Sequence, residues 1–240
     1  MTKINSEVTK FLTEAVKTAH SVNVPNIVID QDGLRGLDPN SKLVVILKPV
    51  IDIKLPFESL ALGDVSKFLQ RMMIHQDNDA SEISLDQDDN GGVKLIKFKS
   101  KGLNIEYRCV KAALFNKIIP KKVNDTYIGV ITLDDNAVEM LKKGANTMKS
   151  EHVLFYKPKE ENSVQFVLKD DTKSEFTFDI EEDFLSIEED VDITFANNYP
   201  VKTILSAMND ADNLELLIGE SGTLTIKKNG IDIVIPRRLV

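Results

Sequence analysis

Six residues open like an oxygen-ligand calcium loop: Asp86-Gln87-Asp88-Asp89-Asn90-Gly91 puts side-chain oxygens at positions one, three and five and the turning glycine at six. The twelfth position, where such a loop needs a bidentate carboxylate, is Lys97, and the flanking residues alternate as strands do rather than as helices do. The stretch therefore reads as a solvated acidic turn. A second acidic run, Asp179 to Asp192, could gather carboxylates for a metal, but a run of like charges belongs on a solvated surface. His20, His75 and His152 stand at no ligand spacing, and none adjoins a serine or cysteine nucleophile signature. No phosphate-cradling G-x-x-x-x-G-K-[ST] or G-x-G-x-x-G loop occurs. Cys109 is the single cysteine, so no internal disulfide or cysteine-built metal centre is available. These residues lead to the expectation of no enzyme: no catalytic group, no metal and no cofactor.

With chemistry set aside, the question becomes what the elements are for. A chain of 240 residues with 42% hydrophobic content has room for two domains of ordinary size. Its formal charge of −8 and pI near 5.0 argue against coating nucleic acid with the whole surface, while leaving room for a local basic face. The opening residues run into an amphipathic pattern rather than an apolar signal core, and no stretch approaches the ~18 apolar residues of a membrane span. The expected location is intracellular: the cytoplasm of a bacterial, archaeal or phage-infected cell, or the nucleus of a eukaryotic one.

The organisation is a repeat. Lys97–Tyr107, K-F-K-S-K-G-L-N-I-E-Y, and Thr225–Ile235, T-I-K-K-N-G-I-D-I-V-I, both alternate apolar and polar residues around a turn-forming X-Gly pair, and each predicts a hairpin. They align without a gap at an offset of 128, which brings Phe98 onto Ile226, Gly102 onto Gly230 and Ile105 onto Ile233. Helical spacing recurs in the same order. Val8, Phe11, Leu12, Ala15, Val16 and Ala19 behind a cap at Asn5 or Ser6 mark one helix, and Val138, Leu141, Ala145 and Met148 mark another, with Leu12 answering to Leu141 and Val16 to Ala145 at an offset of 129. Val65, Phe68, Leu69 and Met72 answer to Val201, Ile204, Leu205 and Met208 at 136. The reading is α+β: two tandem copies, 1–111 and 126–240, of one domain with two helices packed on antiparallel sheets. A connector over 112–125 with exposed apolar side chains and no clear period separates them.

Two helices backed by strands, written twice, with Lys or Arg on the outward helix faces, resemble a DNA polymerase sliding clamp of the two-domain, proliferating-cell-nuclear-antigen-like type found among phage, viral and archaeal processivity clamps. The residues that carry the likeness are I-V-I-D-Q-D-G-L-R-G-L-D-P-N from Ile27, the connector, and the terminal I-V-I-P-R-R from Ile233. The resemblance implies a homotrimeric head-to-tail ring that encircles double-stranded DNA without reading its sequence. Such a ring tethers a replicative DNA polymerase and is put on DNA by a clamp loader. The DNA-facing candidates are Lys10, Lys17, Lys67, Arg71, Lys142, Lys143, Lys149 and Lys202, the fourth helix offering only the last. The implied partner pocket takes Leu37 and Leu43 from the first domain, Ile118 and Ile119 from the connector, and Ile235 and Pro236 from the terminal strand. Two other readings are open: a viral processivity factor of the same fold that closes no ring, and a two-domain interaction scaffold not bound to DNA.

Overall fold

The computed structural model describes residues 1–38, 44–47, 53–76, 82–119, 125–158, 163–180, 185–187, 195–208, 214–228 and 231–236. The chain divides into two units, Met1–Lys122 and Val123–Val240.

In the first unit the order is β1 (Thr2–Lys3), α1 (Ser6–Ser21), β2 (Asn26–Asp30), β3 (Gly33–Leu37), β4 (Val44–Leu47), β5 (Ser59–Leu62), α2 (Val65–Gln76), β6 (Glu82–Gln87), β7 (Val93–Ser100), β8 (Leu103–Arg108) and α3 (Ala112–Phe115). Asn5 caps α1 by accepting the Val8 N–H at 2.9 Å, and Asp64 caps α2 by accepting the Lys67 N–H at 2.9 Å, so each helix starts where a short polar side chain satisfies an orphan donor. The strands form two antiparallel arrays, β1-β6-β7-β8 and β5-β2-β3-β4. Connector residues Ala112–Phe115, which show no period in the sequence, form one helical turn.

The second unit runs β9 (Tyr127–Leu133), α4 (Asp135–Met148), β10 (His152–Lys157), β11 (Val164–Lys169), β12 (Glu175–Ile180), β13 (Leu185–Ile187), β14 (Phe195–Pro200), α5 (Val201–Met208), β15 (Leu214–Gly219), β16 (Leu224–Lys228) and β17 (Ile231–Ile235). Its arrays are β13-β9-β15-β16-β17 and β14-β10-β11-β12, again antiparallel. Strands β9, β15, β16 and β17 thus take the places of β1, β6, β7 and β8, and β13 pairs with β9 at the edge. The repeated hairpin keeps its register to the residue: Phe98 faces Ile105 and Ser100 faces Leu103, while Ile226 faces Ile233 and Lys228 faces Ile231. The caps Asn5 and Asp134 lie 129 residues apart, and α2 and α5 begin 136 apart, at Val65 and Val201.

Each core is built where helices meet strands. Phe68 of α2 is fully buried with its ring 5.8 Å from Phe98 and edge-on to Tyr107 at 5.1 Å. In the second unit Phe155 stacks on Phe166 at 4.0 Å and meets Tyr199 edge-on, and the Tyr199 hydroxyl donates to the Gly222 carbonyl at 3.1 Å.

The start of the second unit is stapled to the β15–β16 turn by Asp125. Its carboxylate accepts from the Ser221 backbone N–H at 3.3 Å, the Ser221 hydroxyl at 2.6 Å and the Thr223 hydroxyl. Gly219 makes room, since a side chain there would run into that carboxylate. Burial pulls the Asp125 carboxyl upward, but the hydrogen bonds from Ser221, Thr223 and the Thr126 backbone outweigh it and hold the group below its usual range. Because the folded value lies below the unfolded one, the stabilisation is complete above about pH 4 and is lost as pH falls through the folded value. Asp125→Asn should therefore lower stability by about 1 kcal/mol at pH 7 and by less at pH 3. Urea unfolding of the variant and the wild type at both pH values checks this.

Candidate functional site

Charge is divided unevenly over the elements. Among the described residues α1, α2, α4 and α5 hold seven Lys or Arg and four Asp or Glu, a net +3 on a chain of −8. The excess sits on α2 and α5, which contain no acidic residue. On α1 the exposed residues alternate, Glu7, Lys10, Glu14, Lys17, and Lys10 and Lys17 border an open depression shared with Lys3, Glu14 and Glu82. Lys3 in turn pairs with Glu82 at 2.7 Å.

Exposed on their helices are Lys10, Lys17, Lys67, Lys143 and Lys202; Lys142 and Arg71 are half-buried. Lys67 lies 2.8 Å from Asp64, and the hydrogen bond from its ammonium, followed by that from its backbone N–H, depresses the Asp64 carboxyl. Lys142 meets Glu139 at 3.3 Å. Such exposed pairs are weak and leave the cations free to exchange partners. Lys149 stands just past α4 with φ 49°, in the left-handed region, where its charge complements the negative helix end. Arg71 is positioned by packing: its guanidinium lies over the Tyr107 ring, 5.1 Å from the centroid, and the Tyr107 hydroxyl donates to the Asp64 carbonyl at 3.2 Å. Burial raises the Tyr107 pKa, so the ring keeps its proton and remains a neutral platform.

The apolar candidates fall into separate groups. Strand β2 is buried on both faces, with Ile27, Val28 and Ile29 all fully covered. Register sets Ala61, Val28, Arg35 and Ile46 in one row across the sheet, and Leu37 lies on the same face, two residues beyond Arg35. The segment Val110–Ile119 covers that face: Ile119, only 2% exposed, packs on Val28 and Ala61, with Leu37, Val110, Ala112 and Phe115 around them. Leu37 and Ile119 are therefore brought together as packing under this segment, while Ile118 points outward, 55% exposed. Leu43 lies outside the described residues. In the second unit Ile235 is buried in β17 and Pro236 is half-buried.

Sequence reasoning missed Leu114, which is 60% exposed beside Ile118, and a polar group under the segment. Arg35 is 5% exposed, with its Nη2 at 2.6 Å from Asp30 Oδ2 and 3.3 Å from Asn116 Oδ1. One signal was available in the sequence: a lone arginine inside the apolar strand G-L-R-G-L needs a buried partner.

No group of three or more His, Cys, Asp or Glu among the described residues could hold a metal. Asp88 Oδ1 accepts the N–H groups of Asn90 and Gly92, both at 2.9 Å, so the calcium-like stretch closes on itself as a turn between strands. Burial pushes the half-buried Cys109 thiol up to about 12, which keeps it protonated and unreactive at neutral pH. Of the acidic run Asp179–Asp192, only 179–180 and 185–187 are described. No helix of the described residues is long and apolar enough to cross a membrane.

No protein-family model matches the chain, and no curated protein sequence does. Solved structures do. The structure described as the C-terminal region of FEN-1 bound to A. fulgidus PCNA matches 99% of this chain and 98% of its own, at 17% identity and a TM-score of 0.62. The proliferating cellular nuclear antigen of Entamoeba histolytica matches 96% of each chain at 14% identity and a TM-score of 0.62. A putative DNA polymerase III beta subunit from Eubacterium rectale reaches a TM-score of 0.70 at 12% identity, with 97% of this chain spanning 63% of that one. The chain thus has the sliding-clamp fold from end to end, α+β with antiparallel sheets and few helices.

Proposed function

We propose that this chain is the subunit of a sliding clamp: a ring around duplex DNA that tethers a replicative DNA polymerase, is placed there by a clamp loader, and does no chemistry of its own. The observation that carries the reading is the net +3 on the helices of a −8 chain, within a fold shared with clamps over its whole length. A surface that slides needs diffuse attraction for phosphate rather than grip on bases, and exposed lysines in exchangeable pairs supply it. The acidic remainder keeps the attraction local. The setting is the intracellular compartment in which DNA is replicated. Partner proteins dock at the exposed apolar residues Leu114 and Ile118 of the first unit, with Leu37 and Ile119 beneath; Ile118→Asp tests this surface by its loss of polymerase capture.

Ring closure comes from edge strands. Among the described residues no strand pairs beyond β8 or β12. Both are six residues long, with exposed polar side chains on one face. On the other face each is apolar and incompletely covered: Leu103 and Ile105 are half-buried in β8, Phe176 and Phe178 in β12. An antiparallel pairing of β8 with β12 of a second copy lays these apolar faces together and sets Arg108 opposite Glu175. The contact is heterologous, the kind that a closed ring repeats, and three copies of a two-unit chain make a ring of six units.

Native mass spectrometry should give a homotrimer. Arg108→Glu should weaken assembly about tenfold, the factor of one lost charge pair with repulsion added, and Glu175→Arg in the same chain should restore part of it. A wild-type monomer at micromolar concentration contradicts the closed ring. Charge reversal of Lys67 with Arg71, or of Lys142 with Lys143, should shorten polymerase runs on a long primed template and reduce the slope of DNA binding against salt by about 1 to 2. Normal run lengths in folded variants would remove these helices from the DNA path.

A further inference from the structure

We infer that Arg35 is a positioning residue of the partner surface: it latches the strap Ala112–Ile119 to the outer face of the first unit's sheet through the side chain of Asn116. The strap's own backbone bonds are local. Asn116 N–H donates to the Ala112 carbonyl at 2.9 Å, and the N–H groups of Ile118 and Ile119 donate to the Phe115 carbonyl at 2.9 and 2.8 Å. These bonds give the strap its shape but not its place. Its place comes from the sheet: the Val110 N–H donates to the Ala61 carbonyl at 3.0 Å, Ile119 sits on Val28 and Ala61, and Arg35 reaches Asn116.

The guanidinium is suited to the task. It lies in the row Ala61–Val28–Arg35–Ile46, an apolar floor in which its charge is held by Asp30 at 2.6 Å. The guanidinium is planar, so with Nη2 held by the Asp30 carboxylate its donors keep fixed directions, and the same Nη2 also donates to Asn116 Oδ1. Nη1 is buried and has no hydrogen-bond partner among the described residues. Asn116 itself is exposed, so the latch joins a buried donor on the sheet to an acceptor on the exposed side of the strap. Fixing the strap presents Leu114 and Ile118 in one arrangement, which spares an apolar partner peptide the ordering that a loose strap would require. The benefit to a partner rests on the partner surface proposed above; the latch does not, and it is measured with no partner present.

The experiment is hydrogen–deuterium exchange on the full chain. Asn116→Ala should speed exchange of the Asn116, Ile118 and Ile119 amides about fivefold, the factor of one net hydrogen bond, while the amides of β6, β7 and β8 stay at wild-type rates. Asn116→Asp keeps the acceptor, adds a charge beside the spare Nη1, and should exchange at or below the wild-type rate. Arg35→Met also removes the Asp30 pair, so it should speed the strap amides at least as much as Asn116→Ala; adding Asn116→Ala to it should speed them no further, because the Arg35–Asn116 bond is already gone. Unchanged strap amides in Asn116→Ala would overturn the latch, as would acceleration spread evenly over the unit or an additive double variant. Should Ile118→Asp bind polymerase normally while the exchange pattern holds, the partner surface fails and the latch stands.

Discussion

A helix of two to four turns does not hold its shape in water unless its apolar stripe is covered, and in each half of this chain the cover is a set of strands drawn from far along the sequence. That burial is the constraint on which the charged surface depends. Val8, Leu12, Ala15, Val16 and Ala19 go inward on α1, and the same spacing that buries them turns Lys10 and Lys17 out. On α2, Phe68 is gripped between Phe98 and Tyr107, and Tyr107 then serves twice, as a wall of the core and as the ring on which Arg71 lies. The cations are thereby aimed by side chains that are chemically indifferent to DNA.

Building the unit twice doubles this arrangement without new chemistry, and the hairpin β7–β8 returns as β16–β17 in the same register. The copies differ where each has its own work. Among the described residues the second has β13 beside β9 and the Asp125 staple, while the first carries α3 and the strap over β2. Both leave an edge strand whose apolar face is only half covered, and an incompletely buried edge is a place where another chain can continue the sheet.

What could be read from the sequence was local. The cap at Asn5, the helix starts at Val65 and Val201, and the hairpin register follow from short-range spacing, and the clamp-like likeness follows from their order. What could not be read depends on the strands that meet. The neighbours Ile118 and Ile119 are alike in the sequence, yet one is exposed and the other buried, because only the sheet beneath decides which side of the turn is covered. Arg35 and Asn116 are 81 residues apart, and no period links them. The even charge of α1, where Glu7 and Glu14 stand among the lysines, is visible in the sequence but has meaning only once all four residues are known to be exposed.

The most direct test of the account is topological. A ring linked to DNA stays on a closed circle through a salt wash that strips electrostatic contacts, and leaves when the circle is cut. With a clamp loader and ATP supplied, the protein should be retained on nicked circular duplex in high salt, slide off the same DNA once it is linearised, and be retained again when the linear ends are blocked. Equal retention on circular and open linear DNA, or loss from both in high salt, would contradict the ring.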